Sequence, residues 1–171
     1  MDAKDILNDA FGRLPHLVRD AVQDLSPEQL RWAPAAAANP IGWLVWHLTR
    51  IQDDHIAELM GTKQVYVSEG WAEKFGLKAD PSDTGYDHVP AEVAAVHPES
   101  WQVLVDYYSA VHERTMAYLD GLADADLDDI VDERWEPPVT RGVRLVSVLD
   151  DDVQHVGQAA YVRGLLPVGR R

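Results

Sequence analysis

The chain contains no cysteine. That absence excludes disulfides, thiolate zinc ligands, CxxC redox pairs and a cysteine nucleophile, so any metal must be held by His, Asp, Glu or water. No apolar run approaches the roughly 20 residues that a membrane span needs. The chain opens Met1-Asp2-Ala3-Lys4-Asp5 rather than with a basic and then apolar leader, which sets the expectation of a cytoplasmic protein with no membrane partner. Positive charge is scarce: 15 Lys and Arg stand against 29 Asp and Glu, a formal net charge of -14. Such an exterior repels phosphate backbones and argues against nucleic acid. β-like alternation and internal repeats are missing too.

What remains is 171 residues, 46% of them hydrophobic, enough to bury one substantial core, and residues 1–171 are read as a single domain. Ile6, Leu7, Ala10, Phe11, Leu14, Leu17, Val18, Ala21 and Leu25 recur at three- and four-residue spacing, predicting a first helix over 2–24. Pro15 should kink or split it. Ser26-Pro27-Glu28-Gln29 carries an N-cap, a proline and a Gln in the order that starts a short helical turn. Asn39-Pro40 repeats that signal, and a second helix runs to Gly61. From 61 to 98, Gly70, Gly76, Pro81, Gly85 and Pro90 leave only weak periodicity and mark a long connection with a turn or two of helix. A third helix spans 99–121. The fourth starts between Arg141 and Leu145 and runs to Leu165, before Pro167 and Gly169. The expected fold is all-α, a four-helix bundle with a long crossover between helices 2 and 3.

Asp151 and His155 stand four apart on the fourth helix, so both point to one side of it. Val148, Ala159, Val162 and Leu166 share the face of His155, which makes that face the inward one. A buried carboxylate requires a partner, and a divalent ion supplies one. On the second helix, His47 lies with Trp43, Leu44, Ile51 and Asp54 within about 60° on the flank of the apolar stripe, where it too can face the interior. His47, Asp151 and His155 would give three metal ligands and leave a fourth position open, as in catalytic zinc sites. The competing reading takes Asp150-Asp151-Asp152 as a solvated acidic face. His55 falls about 80° round from His47 and lines the site without ligating. His112 reads as a hydrogen-bonded core residue; His16, His88 and His97 read as surface. The tryptophans read as core, with Trp43, Trp46 and Trp71 able to wall a pocket.

The stretch Asn39-Pro40-Ile41-Gly42-Trp43-Leu44-Val45-Trp46-His47-Leu48-Thr49-Arg50, with Asp53-Asp54-His55 after it and Asp150-Asp151-Asp152-Val153-Gln154-His155-Val156-Gly157-Gln158 later, resembles the DinB-like superfamily. The resemblance implies a four-helix bundle holding a divalent metal through one His of helix 2 and two residues one turn apart on helix 4. Many members have His at both helix-4 positions; here Asp151 replaces the first. A carboxylate oxygen reaches zinc at about the distance of an imidazole nitrogen, so the geometry survives the exchange. The mycothiol-dependent maleylpyruvate isomerases of this superfamily also pair an acid with a His. They carry a further C-terminal domain, for which this chain has no residues, and the expectation is a protein of another kind.

The single-domain relatives that the chain resembles include the mycothiol and bacillithiol S-transferases. The resemblance implies a metal-dependent transferase that joins a low-molecular-weight thiol, mycothiol first among them, to small electrophiles in a detoxification role. Zinc is the first cation to consider, with Ni, Fe or Mn as alternatives. Arg50 and Arg163 are candidates to receive an anionic group, Gln158 to support a ligand, and Asp54 and Trp43 to line the pocket. Two other readings stay open: a metal-dependent small-molecule hydrolase or isomerase, and a stress-associated metal-binding module without catalysis. A second copy of the chain is a candidate partner.

Overall fold

The computed structural model describes residues 1–167, so Gly169 lies outside the described residues. α1 (Ala3–Val22) starts at Asp2, whose side chain accepts from the backbone N–H of Asp5. Phe11, Leu14 and Val18 bury its inner face. Pro15 does not split this helix; the lost backbone bond is outweighed by the apolar contacts on either side of it. α2 (Pro27–Arg31) is the expected short turn, with Ser26 and Gln29 exchanging side-chain-to-backbone hydrogen bonds. α3 (Ile41–Met60) ends at Gly61.

The crossover is more structured than its broken periodicity predicts. It holds α4 (Val65–Ser68), α5 (Trp71–Lys74) and α6 (Pro90–Ala95), each too short to register as a stripe. Val65, Tyr66, Ala72 and Phe75 are nevertheless buried. Two side chains of α3 fasten it to the bundle. Asp53 accepts from the backbone N–H groups of Val65 at 2.8 Å and Tyr66 at 2.7 Å. Arg50 donates to the carbonyls of Asp83 at 3.0 Å and Pro81 at 3.1 Å.

α7 (Trp101–Asp120) follows, capped by the Ser100 hydroxyl. A 3₁₀ turn at Asp124–Asp128 leads to β1 (Ile130–Asp132), which pairs antiparallel with β2 (Val139–Thr140). This small ribbon leaves the expected all-α fold intact: strands of three and two residues are too short for an alternating pattern to show in the sequence. α8 (Arg141–Leu165) begins at Thr140, whose hydroxyl accepts from the Val143 N–H.

In the bundle α3 packs on α7 and α8, and α1 packs on the same two helices from the other side. His47 of α3 meets His155 of α8, while Glu58 of α3 meets Arg144 of α8, so the two helices run antiparallel. Their shared face carries the candidate site. No helix among the described residues is long and apolar enough to cross a membrane.

Candidate metal centre

His47 sits on the second turn of α3 and is buried. Its Nδ1 lies 2.6 Å from the Thr84 carbonyl of the crossover. A carbonyl only accepts, so Nδ1 carries the proton and the Nε2 lone pair is left free. The Trp43 ring stacks on the imidazole at 4.6 Å between centroids, nearly parallel. These two contacts on either side of the ring set its orientation.

Asp151 and His155 come from one face of α8, as their spacing predicts. His155 Nδ1 donates to Gln158 Oε1 at 2.8 Å, which again leaves Nε2 as the free nitrogen. That Nε2 faces Asp151 Oδ1 at 3.5 Å. The two imidazole rings approach to 4.8 Å between centroids and cross at 79°. One ligand atom from each of His47, Asp151 and His155 lies within 4.8 Å of the others. Small side-chain adjustments bring such a set onto one cation with bonds of about 2.0–2.2 Å.

The electrostatics suit a cation. Asp151 Oδ2 is buried and has no hydrogen-bond partner, a costly state for a carboxylate oxygen that lacks a counter-ion. Burial pushes the His47 pKa down, against the Thr84 hydrogen bond and the Asp151 charge, so its lone pair is available at neutral pH. A hydrogen bond from protonated Nε2 to Asp151 pushes His155 above its ordinary value, and a metal ion bound at Nε2 takes the place of that proton. Two imidazole nitrogens and one carboxylate oxygen, each imidazole held from behind by an acceptor, match the ligand chemistry of zinc. The side chains of Asp151 and His155 keep 28% and 20% of their exposure, so one flank of the cluster is open to a small molecule.

Of the other residues singled out, Trp43 and Gln158 are brought to the cluster. Asp54 lies further along α3, where its Oδ1 accepts from Gln64 Nε2 at 2.6 Å. Arg50 is elsewhere: it is fully buried, its third nitrogen donates to Gln64 Oε1 at 2.9 Å, and all three of its nitrogens are engaged by groups of the chain itself. Its role is to hold the crossover. Arg163 donates to the Gln23 carbonyl at 2.8 Å, tying the end of α8 to α1.

Three features escaped the sequence. Thr84 and Gly85 form the clamp on His47: a Cβ built on Gly85 would stand 2.8 Å from His47 Nδ1 and 2.8 Å from Trp46 Cζ3. His88 is not a surface residue. It accepts from Trp43 Nε1 at 3.1 Å, donates to Asp83 Oδ1 at 2.8 Å and stacks on Trp46. Asp152, read with its neighbours as part of a solvated run, is fully buried with both oxygens unpartnered, and burial raises its pKa well above the usual carboxylate range. His112 also departs from expectation, since its Nδ1 has no hydrogen-bond partner and its ring stacks on Tyr108.

A family model described as the DinB superfamily matches residues 10–159. A solved crystal structure, described as a conserved protein of locus from Enterococcus faecalis, superposes with a TM-score of 0.89 at 34% sequence identity. It covers 97% of this chain and 98% of its own. No curated protein matches this chain.

Proposed function

The chain belongs to the DinB superfamily, and from that premise we propose that it is a metal-dependent transferase joining a low-molecular-weight thiol, mycothiol first, to small electrophiles. The observation that carries this reading is the three-ligand cluster with one flank open and a buried carboxylate oxygen left without a partner. A divalent cation held there supplies Lewis acidity, which lowers the pKa of a thiol or water that reaches its open position.

The chain's own residues prepare the site for that chemistry. Thr84 and Gln158 keep the protons of His47 and His155 on Nδ1 and so direct both Nε2 lone pairs to one point. Trp43 and the crossover cover the His47 side and exclude water from it. Reaction joins the thiol sulfur to the electrophilic carbon, breaks the bond from that carbon to its leaving group, and releases the thiol proton to solvent. No protein nucleophile is needed, in keeping with a chain that lacks cysteine.

The test is conjugation of mycothiol to the fluorogenic electrophile monobromobimane by the purified zinc-loaded chain. Thiol-dependent turnover should fall to the uncatalysed rate after chelation and in His155→Ala. Failure to accelerate conjugation of mycothiol, bacillithiol or glutathione would overturn the proposal. Hydrolysis of small esters without any thiol would point instead to a metal-dependent hydrolase built on the same three ligands.

A further inference from the structure

Beside the cluster, α3, α8 and the ribbon enclose a cleft of about 700 Å³. Ser147 lines it one helical turn before Asp151, and Tyr86 lines it directly after Gly85, which packs on His47. The cleft is therefore bordered by segments that carry or touch the ligands, while His47, Asp151 and His155 themselves are not part of its lining. Its far wall is the loop between β1 and β2, which carries Trp135.

That wall is held in place by charge. Asp132 accepts from Arg134 Nη2 at 2.7 Å and from Arg144 Nη2 at 3.0 Å. Arg144 in turn donates to Glu58 Oε2 and to His55 Nδ1, both at 2.8 Å. Asp54 is taken up by Gln64. The two arginines of the lining are thus paired with Asp132 and Glu58, while the Asp54 carboxylate, held by a neutral amide, leaves the lining with an excess of negative charge that turns anionic ligands away.

Two large rings are left without partners. Trp135 is 63% exposed and Tyr86 is 78% exposed, on separate irregular segments that both line this cleft. Two exposed aromatic faces at one cavity recognise another flat ring, by stacking. We propose that this cleft seats the electrophile and selects planar aromatic compounds that carry no negative charge, held by Trp135 and Tyr86 beside the segments that bear the metal ligands. The word electrophile rests on the transferase reading; the binding preference does not.

The experiment measures binding of an unreactive planar compound, 2,4-dinitroaniline, and of a non-planar counterpart, nitrocyclohexane, to the full zinc-loaded chain by equilibrium dialysis. The wild type should bind the aromatic ring at least tenfold more tightly. Trp135→Ala and Tyr86→Ala should each weaken that binding about three- to tenfold, with zinc content and thermal midpoint unchanged because both side chains lie at the surface. Equal affinity for the two rings, or wild-type affinity in both variants, would overturn the proposal. Thiol conjugation without aromatic preference would remove the cleft assignment and leave the transferase; aromatic selectivity in a chain that conjugates nothing would do the reverse.

Discussion

Asp53→Ala is expected to cost about 3–5 kcal/mol of folding stability, the range found when one partner of a buried ion pair is removed. Asp53 is 1% exposed, and its carboxylate serves four groups at once. It accepts from the N–H groups of Val65 and Tyr66, from the Tyr107 hydroxyl at 2.9 Å, and lies 3.7 Å from Arg50 Nη1. Burial pushes its pKa up while those partners pull it back. Alanine leaves two backbone donors and a phenol buried without an acceptor, and the Arg50 guanidinium buried without its counter-charge. Urea unfolding of the two proteins measures the loss; a difference under about 1 kcal/mol, the worth of an exposed pair, would refute it. Arg50 also carries Pro81 and Asp83, the residues just before Thr84, so the surviving folded fraction should also bind metal more weakly.

Gly85→Ala should reduce metal affinity by about 10- to 100-fold, the usual cost of disturbing the support behind a ligand. The backbone at Gly85 has φ +89, and the added Cβ would meet the His47 ring at 2.8 Å and Trp43 Cζ2 at 3.2 Å. These are rigid rings, so the loop must retreat, and with it goes the Thr84 carbonyl that sets the proton on Nδ1. The strained conformation adds roughly 1–3 kcal/mol of destabilisation. Gly12→Ala supplies the contrast: nothing stands within 4 Å of its Cβ in the middle of α1, and alanine there should stabilise by about 0.5–1 kcal/mol. Isothermal titration with zinc reads the first effect and thermal unfolding the second. Unchanged zinc affinity in Gly85→Ala would mean that the clamp does not position His47.

The four long helices were legible because each buries one apolar stripe, and a stripe repeating at three and four residues survives in the amino-acid order. The three clustered residues were legible for the same reason. Asp151 and His155 share a face by spacing alone, and His47 lies on the flank of the stripe that turns toward them. The support behind them was hidden. Thr84 acts through its carbonyl, a group every residue carries, and Gly85 signalled only a break in periodicity. Arg50 showed its face but not its partners, since the carbonyls it holds belong to an aperiodic segment, and the same lack of pattern concealed His88. The acidic run misled through its uniformity. Successive residues turn about 100° round a helix, so Asp150 is exposed, Asp151 half-buried and Asp152 buried.

Stoichiometric zinc titration of the metal-stripped full chain against a chromophoric chelator, repeated with His47→Ala and His155→Ala, bears most directly on the metal centre. One equivalent in the wild type, lost in both variants while each keeps a cooperative unfolding transition, is expected from His47, Asp151 and His155 acting as one ligand set. Absence of binding in the wild type, or binding of equal strength in both variants, would contradict it.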